Sequence, residues 1–591
     1  MCPKALANSS AGRRMAFYGF SPDLSADGEF NWSMRKFLVM VIAALVIVLG
    51  FSSLSNASTT STVTIHYQPA AGNTDDWNLW LWEPSQNGFN VDFTATDAFG
   101  KVATYTFDHS VTDIGFIVKV GNFSKKDGTI DRSIRNFVNG NAEVWVRGGV
   151  VTVYTANPDI VVPKPVLPTW AQSASIYEVN VRQFSSAAAG SKFVAVKAQL
   201  PRLKALGVKI LWLMPIYPIS VEGRKGSLGS PYAVSDYKAV NPEFGSLASL
   251  KSLVDAAHAQ GFHVIFDWVA NHTGLDNVWT VHKDWYQTVV NGVIQPNSDW
   301  TDVADLNYEN ADMRAAMIDA MKYWVNTVGI DGYRCDFSGG VPTDFWEEAN
   351  TQLQAIKPLF MLSENGNDYS QLQSAFVANY GWSLLNDLNA AARNKGDAFE
   401  FIGTLKQVAN EYPKGTFPMT FITNHDENSW NGTEYERLGT FVKRFSALYF
   451  TIPGMPLIYN GQEIGLKRRL QFFENDPITW TSSSMTDFYR KLVALKTKNP
   501  ALWNGSAGGT VKQYMGSNDN VLTYTRVKGT NKVVVVINLT AKAQTDVVKL
   551  GSAAAGTFYK YSTGVKTKLV SSQKFVVPAN GFEIYSTVLT K

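Results

Sequence analysis

Cysteine is almost absent from this chain of 591 residues, which contains only Cys2 and Cys335. If Cys2 is removed with an N-terminal leader, the one remaining thiol can form neither an internal disulfide nor a cysteine metal cluster. Charged residues make up only 17% of the chain, and the formal net charge is +3. Because a nucleic-acid-binding surface needs an excess of basic residues, the composition predicts no nucleic-acid partner.

Long apolar runs are also scarce, and the longest covers residues 37–49. It follows the basic start Met34-Arg35-Lys36 and precedes Ser55-Asn56-Ala57, a small-x-small pattern. This layout predicts that residues 1–57 are a leader whose signal peptide runs from Met34 to Ala57, so we expect a secreted protein with no membrane contact after cleavage. The run is short for a membrane span, although an uncleaved signal anchor is the alternative.

Aromatic residues, by contrast, are abundant: they make up 13% of the chain and include 17 Trp and 24 Tyr. Aromatic surfaces with few charges suit neutral ligands that have an apolar face, and sugars are the commonest such class. A large aromatic core is the alternative explanation.

The residues that follow the leader divide into four segments. Residues 58–156 alternate apolar and polar positions between turn residues, which predicts a β-sandwich module. Four prolines predict an extended spacer over 157–169. Between 170 and 500, apolar strands such as "KILWLMP", "HVIFDWV", "FMLSEN" and "PLIYNGQE" alternate with amphipathic helices, which predicts an α/β (β/α)8 barrel. Residues 501–591 return to strand patterns and predict a C-terminal β-sandwich.

Acidic residues stand at the ends of four predicted barrel strands: Asp267, Asp336, Glu364 and Asp426. In such a barrel the carboxyl ends of the strands build the active site. Converging carboxylates there, accompanied by His272 and His425, suit glycosidic bond cleavage, which needs one protonated acid and one ionised carboxylate. Arg334, two residues before Asp336, should lie on the same strand face and keep that carboxylate ionised. The alternative is that each acid caps a helix or pairs with a basic residue.

Seven short motifs occur in the order typical of glycoside hydrolase family 13, the α-amylase family. They are "GVKILWLMP" (207–215), "DWVANH" (267–272), "DLN" (305–307), "GYRCD" (332–336), "SEN" (363–365), "TNHDE" (423–427) and "GMPLIYNGQE" (454–463). The chain resembles this family across its barrel and C-terminal sandwich.

The resemblance implies a role for each matching residue. Asp336 falls on the nucleophile that forms a covalent glycosyl–enzyme intermediate, and Glu364 falls on the general acid/base. Asp426 matches the third carboxylate, which binds sugar hydroxyls. The resemblance implies that the remaining matches bind substrate: Tyr232 as an aromatic platform in "GSPYAVSDY", with Asp267, His272, Arg334 and His425.

A calcium cofactor is implied at one position only. Asn271 matches a calcium ligand of many family members, whereas Gly340 stands where a histidine ligand is common. The inserted segment 272–305, which normally supplies further ligands, is short. The sequence therefore predicts no certain cofactor, and calcium is the one candidate.

The module at 58–156 is similar to carbohydrate-binding modules of family 41, known from pullulanases. The similarity depends on "DDWNLWLW" and "GFIVKVGNFSKKDG". Trp80 and Trp82 lie two apart on a predicted strand, hence on one face, and fall on the sugar-stacking residues. The resemblance also implies sugar contacts from Phe123, Lys126 and Asp127, while Trp77 is predicted to be a core residue.

Together these patterns predict a secreted, retaining α-glucan hydrolase that cleaves mainly α-1,4 bonds in starch and maltooligosaccharides. A "YNWGYDP"-like segment and a Trp soon after the acid/base, both typical of debranching relatives, are missing from "GSPYAVSDY" and "SENGND". A pullulanase, a neopullulanase and a transglycosylase of the same family are the alternatives. A catalytically inactive glucan-binding protein is the non-enzyme alternative, and no oligomeric state follows from the sequence.

Overall fold

The structure, a computed structural model, describes residues 60–70, 72–128, 131–135, 137, 140–150, 153–154, 165–366, 369–394, 398 and 400–590. It divides into two compact units, Met1–Val161 and Val162–Lys591. The predicted leader over 1–57 and the spacer residues 157–164 lie outside the described residues.

The first unit contains two β-sheets. Its strands are β1 Ser61–Gln68, β2 Trp77–Trp82, β3 Phe89–Asp92, β4 Ala95–Thr96, β5 Lys101–Phe107, β6 Ile114–Val120, β7 Lys125–Lys126, β8 Arg132–Ile134, β9 Asn141–Arg147 and β10 Val153–Tyr154. One sheet has the order β10-β9-β1-β5-β4, and the other has β3-β2-β6-β7 with β8 paired to β6. Alternate residues of these strands form one buried apolar cluster, as the period-2 pattern predicts.

The second unit begins with the strands that build the barrel and its inserted segment. They are β11 Ile176–Val179, β12 Ile210–Leu213, β13 His263–Val269, β14 His272–Gly274, β15 Val289–Val290, β16 Val293–Ile294, β17 Val303–Asp305, β18 Gly332–Asp336, β19 Phe360–Ser363, β20 Ala378–Tyr380, β21 Phe417–Thr420 and β22 Met455–Tyr459. A closed barrel forms from β11, β12, β13, β18, β19, β20, β21 and β22. The strands predicted from "KILWLMP", "HVIFDWV", "FMLSEN" and "PLIYNGQE" are four of them.

The helices of this unit have the following bounds: α1 Lys192–Ala198, α2 Leu200–Leu206, α3 Leu247–Ala259, α4 Ala311–Thr327, α5 Thr343–Gln354, α6 Trp382–Asn394, α7 Glu400–Asn410, α8 Glu434–Leu438, α9 Val442–Thr451, α10 Ser484–Lys498 and α11 Gly551–Ala554. Helix α4 shows how the sequence sets them. The side chain of Asn310 accepts hydrogen bonds from the first backbone amides, which caps the helix. Met313, Met317 and Met321 are buried along one face.

The C-terminal segment forms a sandwich. Its strands are β23 Thr510–Tyr514, β24 Val521–Lys528, β25 Asn531–Asn538, β26 Gln544–Lys549, β27 Gly556–Lys560, β28 Lys566–Leu569, β29 Ser572–Val577 and β30 Phe582–Ser586. Six of them form one sheet, and β26 pairs with β29. Tyr524, Val533 and Val535 join the same apolar cluster as the barrel helices, so this sandwich and the barrel share a core. None of the helices in the described residues is long and apolar enough to cross a membrane.

Candidate active site

Three carboxylates surround one buried arginine at the carboxyl end of the barrel. Arg334 Nη1 lies 2.7 Å from Asp267 Oδ1 and 2.8 Å from Asp336 Oδ1, while Nη2 lies 2.6 Å from Glu364 Oε1. Arg334 pairs with Asp267 across β13 and β18, and Asp336 is the last residue of β18. Glu364 directly follows β19. The topology thus brings together four of the predicted site residues.

The charge balance of this cluster raises the pKa of its acids. Burial raises the pKa of Glu364 to about 7, and the nearby Asp336 carboxylate adds to the shift against the opposing Arg334 charge. Burial likewise raises the pKa of Asp336 to about 6, although Arg334 opposes it. Arg334 therefore favours ionised Asp336, as predicted, but burial outweighs it. Acid catalysis with a nucleophile requires two neighbouring carboxyl groups. One of them keeps its proton near neutral pH, and the other is ionised.

The residue after Asp336 helps to orient the acid. Phe337 has a φ of +40°, a left-handed conformation that is uncommon for a bulky side chain. This turn aims its backbone N–H at Glu364 Oε2, 2.8 Å away. The Phe337 ring is left 44% exposed and packs edge-on against Trp300, at 5.2 Å between ring centroids. Strained backbone of this kind clusters at functional sites.

A second set of predicted residues meets the cluster through Tyr232. Its hydroxyl lies 3.0 Å from Asp267 Oδ2 and 2.8 Å from His425 Nε2. His425 Nε2 also lies 3.4 Å from Asp426 Oδ2. The Tyr232 ring is almost fully buried and stacks on His425 and on Phe472.

Asp426 is the most accessible of the predicted carboxylates, with a side chain 38% exposed. It directly precedes a π-helix, Glu427–Asn431, a feature often found at functional sites. The π-helix carries Trp430, which is 49% exposed and lies 5.1 Å from the Phe472 ring.

His272 lies on the inserted segment. Burial lowers its pKa to about 4, which outweighs the opposing effect of Asp305, so His272 is neutral at pH 7. Its ring is 5.6 Å from Trp300, which connects it to Phe337. The ends of segment 272–305 pair with each other, because β14 and β17 form an antiparallel ladder with His272 opposite Asp305.

The donor set around Asn271 is small for calcium. The Asn271 amide nitrogen lies 3.2 Å from Asp305 Oδ1, and the Asn297 amide nitrogen lies 2.7 Å from Asp305 Oδ2. Calcium takes six to eight oxygen ligands, whereas no group of three His, Cys, Asp or Glu residues suited to a metal occurs in the described part of the chain. Calcium binding at Asn271 stays a prediction, and no step below depends on a metal.

In the first unit, Trp80 and Trp82 lie half-buried on one face of β2, while Trp77 is buried on the other. Glycines let both outward rings lie close against the sheet. A Cβ on Gly88 would come within 2.1 Å of the Trp80 ring, and one on Gly115 within 2.2 Å of the Trp82 ring. Both indoles therefore lie on the outward face of β2, as the strand pattern predicts.

Three residues near the two indoles, Phe123, Lys126 and Asp127, differ in orientation. Phe123 packs edge-on against Trp80 at 5.4 Å, and the exposed Lys126 ammonium lies 5.6 Å from the Phe123 ring. Asp127, in contrast, is buried, with Oδ2 2.9 Å from Arg132 Nη2 and Oδ1 accepting the Gly149 N–H at 2.7 Å. Because both of its oxygens are committed inside the module, we leave Asp127 out of the sugar contacts proposed below.

Sequence reasoning missed three side chains of the barrel cluster. Trp212 Nε1 donates to Asp267 Oδ2 at 3.1 Å, and Arg334 Nε donates to the Tyr380 hydroxyl at 3.0 Å. Glu178 Oε1 lies 2.5 Å from His425 Nδ1. Glu178 had a readable signal, since it is a lone acid inside the apolar strand "IYEV". Trp212 and Tyr380 looked like ordinary core residues.

Comparison with known proteins agrees with this geometry. The family model "Alpha amylase, catalytic domain" matches residues 191–302 and 297–534, more than half of the chain. The chain therefore belongs to the α-amylase family, a family of glycoside hydrolases. The model "Bacterial pullanase-associated domain" matches residues 61–155, in agreement with the pullulanase-type module.

The individual relatives are identical to this chain at only about a quarter of the aligned positions. Alpha-amylase MalA of Haloarcula japonica is 26% identical over 425 residues, which cover 68% of this chain and 61% of that protein. The maltogenic alpha-amylase of Bacillus acidopullulyticus is 27% identical over 59% of this chain and 63% of its own length. The chain thus spans less than two thirds of either relative.

Solved structures match most of the chain. Maltogenic alpha-amylase AmyB from Thermotoga neapolitana is 29% identical with a TM-score of 0.65, covering 71% of this chain and all of that one. An alpha-amylase from Lactobacillus plantarum is also 29% identical, with a TM-score of 0.63 and the same coverage. A cyclomaltodextrinase, 18% identical with a TM-score of 0.62, covers 89% of this chain and 96% of its own and shows the fold alone.

Proposed function

We propose that the protein is a retaining α-glucan hydrolase that cleaves mainly α-1,4 bonds in starch and maltooligosaccharides. The observation that carries the proposal is the Arg334 cluster, in which one buried guanidinium holds Asp336 and Glu364 at the ends of neighbouring barrel strands and burial raises the pKa of both acids. An acid that keeps its proton beside a carboxylate that loses its own is the minimum equipment for retaining cleavage. The presence of both, with Asp426 beside them, argues against an inactive glucan-binding barrel.

Each residue then has a defined task. The Asp336 carboxylate attacks the anomeric carbon while Glu364 protonates the leaving oxygen, which forms a covalent glycosyl–enzyme intermediate. Glu364, now ionised, takes a proton from water, and the resulting hydroxide displaces Asp336. Asp426, His425 and His272 hold the hydroxyls of the reacting sugar.

Retention of configuration tests this mechanism. Two displacements at one carbon restore the original configuration, so freshly released sugar should be the α-anomer. A proton NMR time course on maltopentaose distinguishes the anomers before they equilibrate. Early β-anomer would reject the covalent intermediate.

Linkage preference is tested by digesting amylose and pullulan side by side. An α-1,6 bond adds a rotatable carbon and turns the acceptor chain, so a site shaped for α-1,4 bonds holds the wrong oxygen away from Glu364. We expect rapid shortening of amylose and no accumulation of maltotriose from pullulan. Clean conversion of pullulan to maltotriose while amylose survives would make the enzyme a pullulanase.

One observation favours sugar transfer as a second activity. Phe337, whose backbone N–H contacts Glu364, has an exposed ring that packs against the exposed Trp300 ring. A general acid stands on the leaving-group side of the bond. An aromatic surface there is suited to an acceptor sugar competing with water. With glucan as the only donor, Phe337→Ala should lower the yield of lengthened products relative to hydrolysis. An unchanged ratio would remove this candidate.

We also propose that Trp80 and Trp82 bind α-glucan. Replacing both by Ala should weaken adsorption to granular starch about 30-fold, because each stacked aromatic contributes on the order of 1 kcal/mol. Turnover of soluble maltooligosaccharides should barely change. Trp145→Ala is the matched control, since this ring stacks on His66 in the other sheet. Unchanged adsorption of the double variant would refute the assignment.

Secretion is proposed from residues 34–57 alone. Cleavage after Ala57 would leave Ser58 as the first residue of the mature protein. N-terminal sequencing of protein recovered from the culture medium tests this. Retention of the whole chain at the membrane would favour the uncleaved anchor.

A further inference from the structure

Glu178 is a buried acid to which the proposed reaction assigns no task. It lies in barrel strand β11 and is fully buried. Its Oε1 is 2.5 Å from His425 Nδ1, whereas Oε2 has no hydrogen-bond partner among the described residues. An isolated buried charge is costly. The contact with His425 is therefore what compensates the cost of burying the Glu178 carboxylate.

The protons on His425 can be counted from its neighbours. The Tyr232 hydroxyl has one proton, and the Asp267 carboxylate that it faces can only accept. Tyr232 therefore donates to Asp267 and accepts from Nε2–H of His425. On the other side of the ring, burial raises the pKa of Glu178, and the His425 charge opposes that rise. An ionised Glu178 carboxylate 2.5 Å from Nδ1 can only accept, so Nδ1 carries a proton too. A histidine with both ring nitrogens protonated is a cation.

The surrounding charges agree with this count. Burial opposes the cation, but Asp426 and Glu178 outweigh it and raise the pKa of His425 to about 9, although the Arg334 charge acts against them. The remaining faces of the ring are covered by Trp212 and Phe472, which are uncharged. On the Glu178 side, Tyr380 and Tyr459 are the other titratable neighbours, and burial keeps both protonated because it raises their pKa.

We propose that Glu178 is a positioning residue that keeps His425 doubly protonated, with its Nε2–H fixed between Tyr232 and the sugar-facing Asp426. The cation then offsets part of the negative charge of Asp267 and Asp426 without an added lysine or arginine. The fixed N–H holds the Tyr232 hydroxyl in place and, through it, the hydrogen bond from Tyr232 to Asp267. The effect on rate rests on the proposed hydrolysis, whereas the charge of His425 does not.

The charge is tested by NMR on the full chain labelled with 15N-histidine, in which seven histidines give few signals and His425→Asn identifies the one in question. We expect both His425 nitrogens to be protonated at pH 7.5. In Glu178→Gln, which keeps the shape and removes the charge, the His425 pKa should fall by at least about one unit. Glu434→Gln is the matched control, because Glu434 is another buried carboxyl and makes no contact with His425 in the part of the chain that the structure describes.

Kinetics separate positioning from a merely structural role. Glu178→Gln should lower kcat more than it raises KM. With a nitrophenyl glycoside, which needs little protonation by Glu364, the remaining alkaline limb of kcat should move to lower pH in this variant, because His425 loses its second proton earlier. Glu178→Asp, which retains the charge, should restore part of that limb. Equal loss at every pH in both variants would overturn the proposal.

Two outcomes keep the proposals apart. A wild-type His425 that is neutral at pH 7.5, or a titration unchanged in Glu178→Gln, overturns the inference whatever the activity. Absence of starch hydrolysis with a cationic His425 overturns the proposed function instead. If Glu178→Gln does not fold, the wild-type spectrum and Glu178→Asp still decide the question.

Discussion

Strand β18 ends at Asp336 and is directly preceded by Asp331, and these two aspartates have opposite environments. Asp331, just before the strand, faces donors: His258 Nε2 at 2.7 Å, the Val264 N–H at 2.8 Å and Lys357 Nζ at 3.1 Å. Burial alone would raise its pKa, but the hydrogen bonds from His258 and His263 hold it well below its usual range. Asp336, at the other end, shares Arg334 with two more carboxylates, and its pKa is raised.

The pKa values of Asp331 and Asp336 shift in opposite directions because the two acids have different numbers of hydrogen-bond donors and acidic neighbours around them. Several donors around one acid satisfy its charge and favour the folded chain. One arginine among three acids leaves negative charge in excess, which is unfavourable for folding and useful for proton transfer. Functional sites are often less stable than the scaffold for this reason. Asp331 and Asp336, which show these two situations, are only five positions apart in the sequence.

The sharpest test of the acid cluster at the carboxyl end of β18 is to measure the variants Asp336→Asn and Glu364→Gln. Each keeps the shape and removes the nucleophile or the transferable proton, so kcat should fall at least about 1,000-fold. Because each change also relieves like-charge repulsion, the melting temperature should hold or rise. Assays on maltopentaose and calorimetry provide the two measurements, and near-normal hydrolysis by either variant would reject the assignment.

At the start of β18, Asp331→Asn should have the reverse effect, a loss of stability with little loss of activity. Breaking a buried ion pair leaves His258 and Lys357 without their partner, and the free energy of unfolding should fall by about 3 kcal/mol. Since the folded-state pKa of Asp331 is lowered, its contribution in the wild type is present above about pH 4 and is lost as the pH falls below it. Urea unfolding measures the change. A loss of kcat without a loss of stability would break the comparison.

The pH dependence of kcat/KM should show both raised acids. Activity should fall below about pH 6 as Asp336 takes up a proton, and above about pH 7 as Glu364 loses one. The optimum thus lies between the two, and the limbs belong to the coupled cluster. With a nitrophenyl glycoside, whose leaving group needs little protonation, the alkaline limb should flatten. An alkaline limb that is the same for both substrates would exclude Glu364 as its source.

Much of the scaffold and the choice of candidate residues follow from sequence. Apolar strands alternating with amphipathic helices predict the barrel because burial imposes those periods on the chain. Acids directly after such strands converge because parallel strands end at one rim, which is where Asp336 and Glu364 are found. Trp80 and Trp82 share a face for the same local reason.

Only the tertiary structure decides how those residues are partnered. Asp127 looked like a polar sugar contact, but Arg132 and Gly149 turn its carboxylate inward. Glu178 and His425 meet across 247 residues of sequence, and Arg334 and Asp267 across 67. Periodicity records whether a side chain is buried and says nothing of which distant charge lies beside it. Because pKa depends on those distances, the sequence determined which acids are present, and the fold decided which of them keeps its proton.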